Sequence, residues 1–354
     1  MRGVLHVHLS AVLDEWCDVV HDLRGKAATQ EVTPDFTELG VRIGHATDVA
    51  GGTGCTVVRG ADGPLRGGVA VLGRASGTRE LHTLAPEHVA DRVDAVLLTG
   101  GSAYGLDAAA GVMRWMEERR RGFAVGGAAV VPIVPAACLF DLFPCGSPDA
   151  RPTVSMAYDA CERAVARGIE EGSVGAGTGA TVGKGLGVQH AMKGGVGCAV
   201  AESGGVRVGA VAAVNALGDV SDGTGTILAG ARSADGRWLD QRISLRGGPA
   251  AREFGALAAT NTTLAVVVAS VALSRIEVNE LARASGAALG RRISPVGTSY
   301  DGDVIIALCP HDGPTAAPPL ALEVLAVAAL EEAIERAVTR ARGRDGVAGA
   351  GDAI

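Results

Sequence analysis

The spacing of apolar residues in the first half of the chain predicts both strands and helices. Short apolar runs at Gly68–Leu72 and Ala95–Leu98 are typical of strands. Between Leu106 and Arg120, apolar side chains recur every three or four residues and predict a helix with one apolar face. A second helix is expected over Val154–Arg167. This alternation predicts helices packed in layers on buried strands.

The second half of the chain contains a predicted hairpin followed by a buried strand. Gly197–Ala201 and Val206–Val214 are apolar runs on either side of a turn that contains Gly204 and Gly205, which predicts an antiparallel hairpin. Leu264–Leu273 is apolar almost throughout and rich in valine. We therefore expect a strand that is buried on both faces.

Helix signals follow that strand and continue to the end of the chain. Ser274 precedes a helical pattern and has Glu277 three residues later, which predicts a capping box. A strand over Val304–Leu308 is expected before a long helix from Leu320 to Arg340. The last dozen residues are rich in glycine and are expected to be loose.

We expect a single large domain over residues 35–354, preceded by a flexible extension over residues 1–34. The extension contains an apolar piece, Val4–Leu13, that is interrupted by histidines and lacks a small-residue cleavage site, so it is a poor signal peptide. No run reaches the roughly 20 apolar residues that a membrane helix requires. The sequence thus predicts a cytoplasmic protein without a membrane partner.

Composition and charge narrow the possible partners. Hydrophobic residues make up 47% of the chain, charged residues 20%, and the formal net charge is −7, which leaves no basic stripe for nucleic acid. The seven cysteines are scattered without a C-x-x-C pair, which argues against a disulfide scaffold or a zinc site. The histidines lack the spacing of a helical metal site. We expect no nucleic-acid partner, no metal and no cofactor.

The glycine-rich segment Gly172–Gly187 invites comparison with a phosphate-binding loop. A Walker loop needs glycine where this chain has Thr178, and serine or threonine where it has Gly185. The spacing of a dinucleotide-binding turn is also absent. Three interpretations stay open at this point: a tight structural loop, a catalytic loop that aims Lys184, and a phosphate or nucleotide site.

Three shorter motifs have ordinary structural interpretations. Ser102 lies in GGSAYGL, where Tyr104 replaces the last glycine of a G-x-S-x-G elbow, so a turn with a capping serine is expected. Asp301-Gly302-Asp303 lacks the other ligands of a calcium loop and predicts a turn before a strand, or a functional element. Asn261-Thr262-Thr263 matches a glycosylation sequon, which we expect to be incidental without secretion.

Six ordered segments together closely resemble the L-aminopeptidase/D-esterase family of N-terminal nucleophile hydrolases, which includes β-peptidyl aminopeptidases and nylon-oligomer endo-hydrolases. The resemblance runs from about Val41 to Val338. The segments are VRIGHATDVAGGTGCTVV at 41–58, LLTGGSAYGLDAAAGV at 97–112, VGAGTGATVGKG at 174–185, AAVNALGDV at 212–220, TNTTLAVVVAS at 260–270 and YDGDVIIAL at 300–308.

The resemblance implies an α+β fold, namely a four-layer αββα sandwich. It also implies that the chain cuts itself between Asn261 and Thr262, which yields a larger subunit (1–261) and a smaller subunit (262–354) that stay together. A homo-oligomer, with a tetramer of cleaved protomers favoured, is the further implication.

The resemblance also assigns roles to individual residues. It makes Thr262 the catalytic nucleophile, places Lys184 beside it and supplies Asn215 as an oxyanion or substrate donor. It sets Asp301 and Asp303 near the amine of the nucleophile.

Two aromatic residues are the candidates for substrate binding. Phe140 precedes Asp141 at a position where relatives often carry a tyrosine, so a hydroxyl contact to the substrate is expected to be missing. Tyr104 is the other candidate.

An N-terminal threonine suits amide hydrolysis because its own α-amine, with a pKa of about 8, can act as the base for its hydroxyl. We predict a self-processing amide hydrolase that acts through a Thr262 ester on small peptides, β-peptides, amino-acid amides or amide oligomers. Trimming from an end and internal cutting stay open. The alternatives are a phosphate-binding protein that uses residues 172–187 and an uncleaved, non-catalytic homologue.

Overall fold

The computed structural model describes residues 33–247, 260–314 and 318–353. The predicted extension therefore lies, apart from its last two residues, outside the described residues. The strands, in chain order, are β1 Val41–Asp48, β2 Thr53–Gly60, β3 Arg66–Val71, β4 Gly77–Arg79, β5 Ala95–Thr99, β6 Phe123–Val125, β7 Ala129–Val131, β8 Ala136–Cys138, β9 Thr181–Val182, β10 Met192–Lys193, β11 Gly195–Ser203, β12 Val206–Asn215, β13 Asp219–Ser221, β14 Ile227–Ala229, β15 Thr262–Ala269, β16 Ile293–Ser294 and β17 Val304–Cys309. The α-helices are α1 Ala109–Glu118, α2 Val154–Glu162, α3 Gln241–Ser244, α4 Arg275–Ser285, α5 Ala287–Arg292 and α6 Pro319–Thr339.

Ten of these strands form two five-stranded sheets. The strand order is β1-β2-β5-β8-β4 in the first sheet and β11-β12-β15-β17-β3 in the second. Neighbouring strands are antiparallel, except that β5 with β8 and β15 with β17 are parallel. Strand β3 belongs to the second sheet, although β2 and β4 belong to the first. The chain therefore crosses from the first sheet to the second and back between β2 and β4.

The two sheets pack face to face through an apolar cluster. Val58 and Leu98 of the first sheet share this buried cluster with Val266 and Ile306 of the second. The next residue of β15, Val267, lies in the cluster beneath the helices, because successive side chains of a strand point to opposite faces. All residues of β15 are buried. This confirms the predicted strand that is covered on both faces.

Helices cover the outer faces of both sheets. Met116 of α1 and Ala160 of α2 share a cluster with Leu97 of the first sheet. Helices α4, α5 and α6 cover the second sheet, where Leu330 of α6 lies in one cluster with Val267. The molecule is therefore an α+β protein with the four-layer αββα arrangement that the resemblance implied.

No helix within the described ranges is long and apolar enough to cross a membrane.

Two local predictions are confirmed in detail. Ser274 caps α4 by accepting a hydrogen bond from Glu277 N, and the Glu277 side chain accepts one from Ser274 N at 2.8 Å. Strands β11 and β12 form the predicted hairpin, and its turn residues Gly204 and Gly205 have φ angles of 58° and 76°. Left-handed angles at both positions match the twist of the flanking strands.

The predicted helix over Leu106–Arg120 begins differently. A 3₁₀ helix covers Ser102–Ala108, and only α1 is α-helical. Ser102 has a φ of 53° and its side chain caps no helix end, so the expected capping role is wrong. A contact with a distant segment holds the start of this helix, where Ser102 N donates to the Leu139 carbonyl oxygen at 2.9 Å. Glycine is required at position 105, since an added Cβ would lie 1.9 Å from the carbonyl oxygen of Gly100.

Two predicted elements end early. Helix α2 stops short of the predicted Arg167 because Val165 turns back and exchanges backbone hydrogen bonds with Ile43 of β1 at 2.8 and 2.9 Å. Strand β15 ends at Ala269 and not at Leu273.

Residues 343–352 are held by specific hydrogen bonds, so for them the prediction of a loose end is wrong. The Asp352 carboxylate accepts hydrogen bonds from Gly343 N and Gly349 N, both at 2.9 Å. The carbonyl of Ala348 accepts one from Lys193 N at 2.8 Å. A single carboxylate thus satisfies the donors of a glycine-rich turn.

Candidate active site

The site forms where β15 begins, at the centre of the second sheet. Thr262 is the first residue of β15 and is only 3% exposed. It pairs with Asn215, the last residue of β12, in the antiparallel ladder. On the other side, Asn261 forms a parallel bridge with Asp301, just before β17. The register of three strands therefore gathers residues that are far apart in the sequence.

The Thr262 hydroxyl lies against the carbonyl group that precedes it. Thr262 Oγ1 donates a hydrogen bond to the Asn261 carbonyl oxygen at 2.6 Å. Gly302 N donates to the same oxygen at 2.8 Å. The hydroxyl of the candidate nucleophile and a backbone donor thus both contact the Asn261 carbonyl oxygen.

Gly302 contributes to this geometry and was not singled out from the sequence. A Cβ at this position would lie 2.7 Å from Thr262 Oγ1 and 2.6 Å from the Ala75 carbonyl oxygen. Only glycine fits this position without displacing its neighbours. The available signal was a glycine between two aspartates, Asp301 and Asp303, which also occurs in ordinary turns.

The Lys184 ammonium is buried and surrounded by oxygen atoms. Its Nζ donates to the Thr260 carbonyl oxygen at 2.8 Å, to Asn215 Oδ1 at 2.9 Å and to the Asn215 carbonyl oxygen at 3.1 Å. Burial lowers the pKa of Lys184 to about 7, and the nearby Asp301 carboxylate acts in the opposite direction. This ammonium binds the Thr260 carbonyl oxygen, whereas the Thr262 hydroxyl contacts the Asn261 carbonyl oxygen.

The Asn215 side chain is oriented by hydrogen bonds at both ends. Its Nδ2 donates to the carbonyl oxygens of Thr260 and Phe140, each at 3.0 Å. Its Oδ1 accepts from Thr181 N at 3.0 Å and from Lys184 Nζ. The amide donor therefore contacts the Thr260 carbonyl, one residue before the carbonyl that Gly302 contacts.

The two aspartates have different environments. Asp301 Oδ2 accepts hydrogen bonds from Thr298 N at 2.7 Å and from Thr298 Oγ1 at 2.8 Å, and burial raises the pKa of Asp301. Asp303 Oδ1 accepts from Thr263 N at 2.6 Å. Its other oxygen, Oδ2, is buried and has no hydrogen-bond partner among the described residues. Burial, followed by the charge of Asp301, raises the pKa of Asp303 to about 7.

The two substrate-binding candidates lie in different settings. Phe140 is joined to the site by its carbonyl group, and its ring packs edge to face against Phe143 with 4.9 Å between centroids. Tyr104 is 64% exposed, and the Arg151 guanidinium lies 4.4 Å from the centre of its ring. The carbonyl contact places Phe140 beside Asn215. The contact of Tyr104 with Arg151 does not link Tyr104 to Thr262. A role for Tyr104 in substrate binding stays a prediction.

The glycine-rich segment 172–187 is a buried support for Lys184. Its backbone N–H groups are engaged within the protein: Gly175 N donates to Thr47 Oγ1 at 2.9 Å, and Ala176 N donates to Thr56 Oγ1 at 3.1 Å. Other N–H groups of the segment with acceptors in the protein are those of Gly177, Thr178, Ala180, Thr181, Gly183 and Lys184. Such a loop has few donors left for a phosphate, which favours the interpretation that it aims Lys184.

Residues 33–247, 260–314 and 318–353 contain no cluster of three or more His, Cys, Asp or Glu side chains that could hold a metal ion.

Comparison with known proteins assigns this arrangement to a family. The sequence profile of peptidase family S58 matches residues 38–351. The chain belongs to peptidase family S58. As an S58 peptidase it is an amide-bond hydrolase.

Relatives within the family have been named for two related activities. An uncharacterized aminopeptidase of Mycobacterium tuberculosis (strain ATCC 25618 / H37Rv) is 40% identical over 304 residues, which cover 79% of this chain and 81% of the relative. The 6-aminohexanoate-oligomer endohydrolase of Agromyces sp. (strain KY5R) is 31% identical over 284 residues, which cover 77% and 74% of the two chains.

Solved structures share the S58 fold at lower sequence identity. The β-aminopeptidase of Burkholderia sp. superposes with a TM-score of 0.66 at 20% identity, over 93% of this chain and 95% of that chain. The L-aminopeptidase D-Ala-esterase/amidase of Ochrobactrum anthropi, described as a variant of the Ntn hydrolase fold, gives a TM-score of 0.64 at 19% identity, over 91% and 93% of the two chains. The chain thus has an N-terminal nucleophile hydrolase fold.

Proposed function

We propose that this S58 peptidase cleaves its own Asn261–Thr262 bond and then uses Thr262 as an N-terminal nucleophile. The observation that carries the proposal is the double contact at the Asn261 carbonyl oxygen, from Thr262 Oγ1 at 2.6 Å and from Gly302 N at 2.8 Å. The proposed substrates are small peptides, β-peptides, amino-acid amides or amide oligomers.

In the proposed self-cleavage, Thr262 Oγ1 attacks the Asn261 carbonyl carbon. The peptide C–N bond breaks, the hydroxyl proton passes to the departing nitrogen, and Asn261 becomes an ester of the Thr262 hydroxyl. Water then hydrolyses this ester, which leaves a carboxylate on Asn261 and a free amine on Thr262. The N–H of Gly302 supports this step because it is directed at the oxygen on which negative charge develops.

The Thr260 carbonyl blocks the site before cleavage in this proposal. Lys184 Nζ and Asn215 Nδ2 both donate to the Thr260 oxygen, at 2.8 and 3.0 Å. When the segment that ends at Asn261 leaves the site, these two donors become available to a substrate carbonyl. Processing would therefore both release the Thr262 amine and open an oxyanion site.

In turnover, the free amine of Thr262 takes the proton from its own hydroxyl, which attacks the substrate amide. A neighbouring cation lowers the pKa of an amine, so Lys184 favours the basic form of this group. Asp303 can hold the amine, since its buried Oδ2 is available beside the strand that starts at Thr262. The substrate's amine leaves, and water hydrolyses the acyl ester on Thr262.

The direct test is an intact-mass measurement and N-terminal sequencing of the purified protein. Two fragments, one that ends at Asn261 and one that begins at Thr262, would support the proposal. An uncut chain that hydrolyses no amino-acid amide would instead identify a non-catalytic homologue. A homotetramer of cleaved protomers is part of the proposal, and light scattering measures it independently.

A further inference from the structure

A second buried lysine lies behind the candidate site. The chain has three lysines, and two of them, Lys184 and Lys193, are 2% and 0% exposed. Lysine is rarely fully buried, because removing an ammonium from water costs several kcal/mol unless it is compensated. The proposed reaction steps use Lys184 but leave Lys193 without a role.

Lys193 binds the Ala180–Thr181 peptide unit, whose N–H in turn donates to the Asn215 side chain. Its Nζ donates to the carbonyl oxygens of Thr178 at 2.9 Å and Ala180 at 2.5 Å. The Ala180 carbonyl belongs to the same planar peptide unit as the N–H of Thr181, which points the opposite way. That N–H donates to Asn215 Oδ1 at 3.0 Å. One peptide unit therefore connects the ammonium with the amide of Asn215.

The charge of Lys193 strengthens this connection. A cation at a carbonyl oxygen polarises the peptide unit and makes its N–H a better donor, as in other chains of hydrogen bonds. Burial lowers the pKa of Lys193 to about 8, while the Asp141 carboxylate nearby favours the charged form. The loop does not depend on this contact alone, because the Ala180 carbonyl also accepts from Gly194 N at 2.9 Å.

The nitrogen end of the Asn215 amide is anchored by the segment around Asp141. Asp141 accepts hydrogen bonds from Thr53 Oγ1 at 2.7 Å and Gly101 N at 2.6 Å. It directly follows Phe140, whose carbonyl accepts from Asn215 Nδ2. Lys193 therefore acts on the oxygen side of the amide, while the segment at Asp141 fixes the nitrogen side.

From this geometry we infer that Lys193 is a positioning residue for turnover, which holds the Asn215 amide in its donor orientation through the Ala180–Thr181 peptide unit. The inference rests on the proposed function, because it assumes that Asn215 Nδ2 binds the substrate oxyanion. Lys193 touches neither Thr262 nor the substrate in this account.

A double-mutant cycle on the purified enzyme tests the inference, with a chromogenic amino-acid amide as substrate. Lys193→Met removes the charge and the hydrogen bonds to the Thr178 and Ala180 carbonyl oxygens, while it retains most of the side-chain volume. We expect kcat to fall on the order of tenfold, as for other residues that orient a functional group, with KM nearly unchanged. In the Asn215→Ala background, the same change should lower kcat less than about twofold, because the group that Lys193 positions is already absent.

Met192→Ala is the matched control, since it changes the neighbouring residue of β10, which is 1% exposed, without altering a charge. It should lower the melting temperature, and its effect on kcat should be the same with and without Asn215. If Lys193→Met also changes kcat by the same factor with and without Asn215, Lys193 serves only packing and the inference is wrong.

Folding is followed by melting temperature, and Lys193→Gln provides a second, neutral variant that keeps a hydrogen-bond donor. If neither variant gives folded protein, Lys193 is a folding residue and the inference is also overturned. Failure of the proposed function is recognised separately, because the wild-type chain would then be uncut and inactive before any Lys193 variant is compared.

Discussion

Gly302→Ala should disturb the nucleophile with the smallest possible change, a single methyl group. The added Cβ would lie 2.7 Å from Thr262 Oγ1 and 2.6 Å from the Ala75 carbonyl oxygen. An ordinary carbon–oxygen contact is about 3.3 Å, so the hydroxyl must move by about 0.6 Å and the backbone must also yield by about 0.7 Å at Ala75. Gly302 is outside the left-handed region, so the methyl contact, rather than backbone strain, sets the cost.

The expected loss follows from that displacement. A shift of about 1 Å in a reacting group costs roughly a hundredfold in rate, so self-cleavage should slow by about tenfold to a hundredfold. Overpacking should lower the free energy of unfolding by about 1–3 kcal/mol. A time course of the uncut chain by mass spectrometry measures the first effect, and chemical denaturation measures the second.

Gly290→Ala is the control for a methyl group added to a glycine. Gly290 lies in α5, and among the described residues no atom outside the backbone of its own helix and its chain neighbours lies within 4 Å of the new Cβ. This variant should therefore be cut at the wild-type rate and gain about 0.5–1 kcal/mol of stability. If folded Gly302→Ala is also cut at the wild-type rate, the close approach to Thr262 does not control the nucleophile and the reasoning fails.

Substitutions at three further positions separate the proposed roles. Thr262→Ala should leave a full-length, inactive chain, whereas Thr262→Ser should still be cut; intact mass decides both, and processing of the alanine variant would refute the assignment. Asn215→Ala should still be cut, because Gly302 contacts the Asn261 oxygen, but its kcat should fall roughly 10²–10³-fold with KM little changed; an unaltered kcat would exclude the oxyanion role. Lys184→Ala should slow both reactions and move the acid limb of the pH–rate profile upward, since the loss of a cationic neighbour raises the pKa of the Thr262 amine. Lys184→Arg should also be impaired, because a planar guanidinium cannot replace a compact ammonium among three oxygens; wild-type profiles in both variants would contradict this role.

Sequence patterns were sufficient to predict the features whose causes lie within a few residues. The capping box at Ser274 needs only Glu277 one turn later, and the hairpin needs only two glycines between apolar runs. The apolar run of β15 indicated burial on both faces, and in the structure each face of that strand lies in its own apolar cluster. Six short segments were sufficient to indicate the family and its candidate nucleophile, Thr262.

Local patterns failed where a distant contact decided the conformation. The helix expected from Leu106 starts as a 3₁₀ helix, whose first residue, Ser102, donates a backbone hydrogen bond to the distant Leu139 carbonyl oxygen at 2.9 Å. Helix α2 ends early because Val165 pairs with Ile43 on β1. In both cases the local propensity was correct for a helix, but tertiary hydrogen bonding and packing outweighed it.

The arrangement of the candidate site was decided by the tertiary structure alone. Strand register places Asn215 beside Thr262, and the bridge between Asn261 and Asp301 brings Gly302 N to the Asn261 oxygen. The apolar pattern does not encode these pairings, because β15 is buried on both faces and a register shift of one residue would only exchange one buried face for the other. The sequence could therefore name the candidate residues, whereas the pairing of the strands determines which donor contacts which carbonyl.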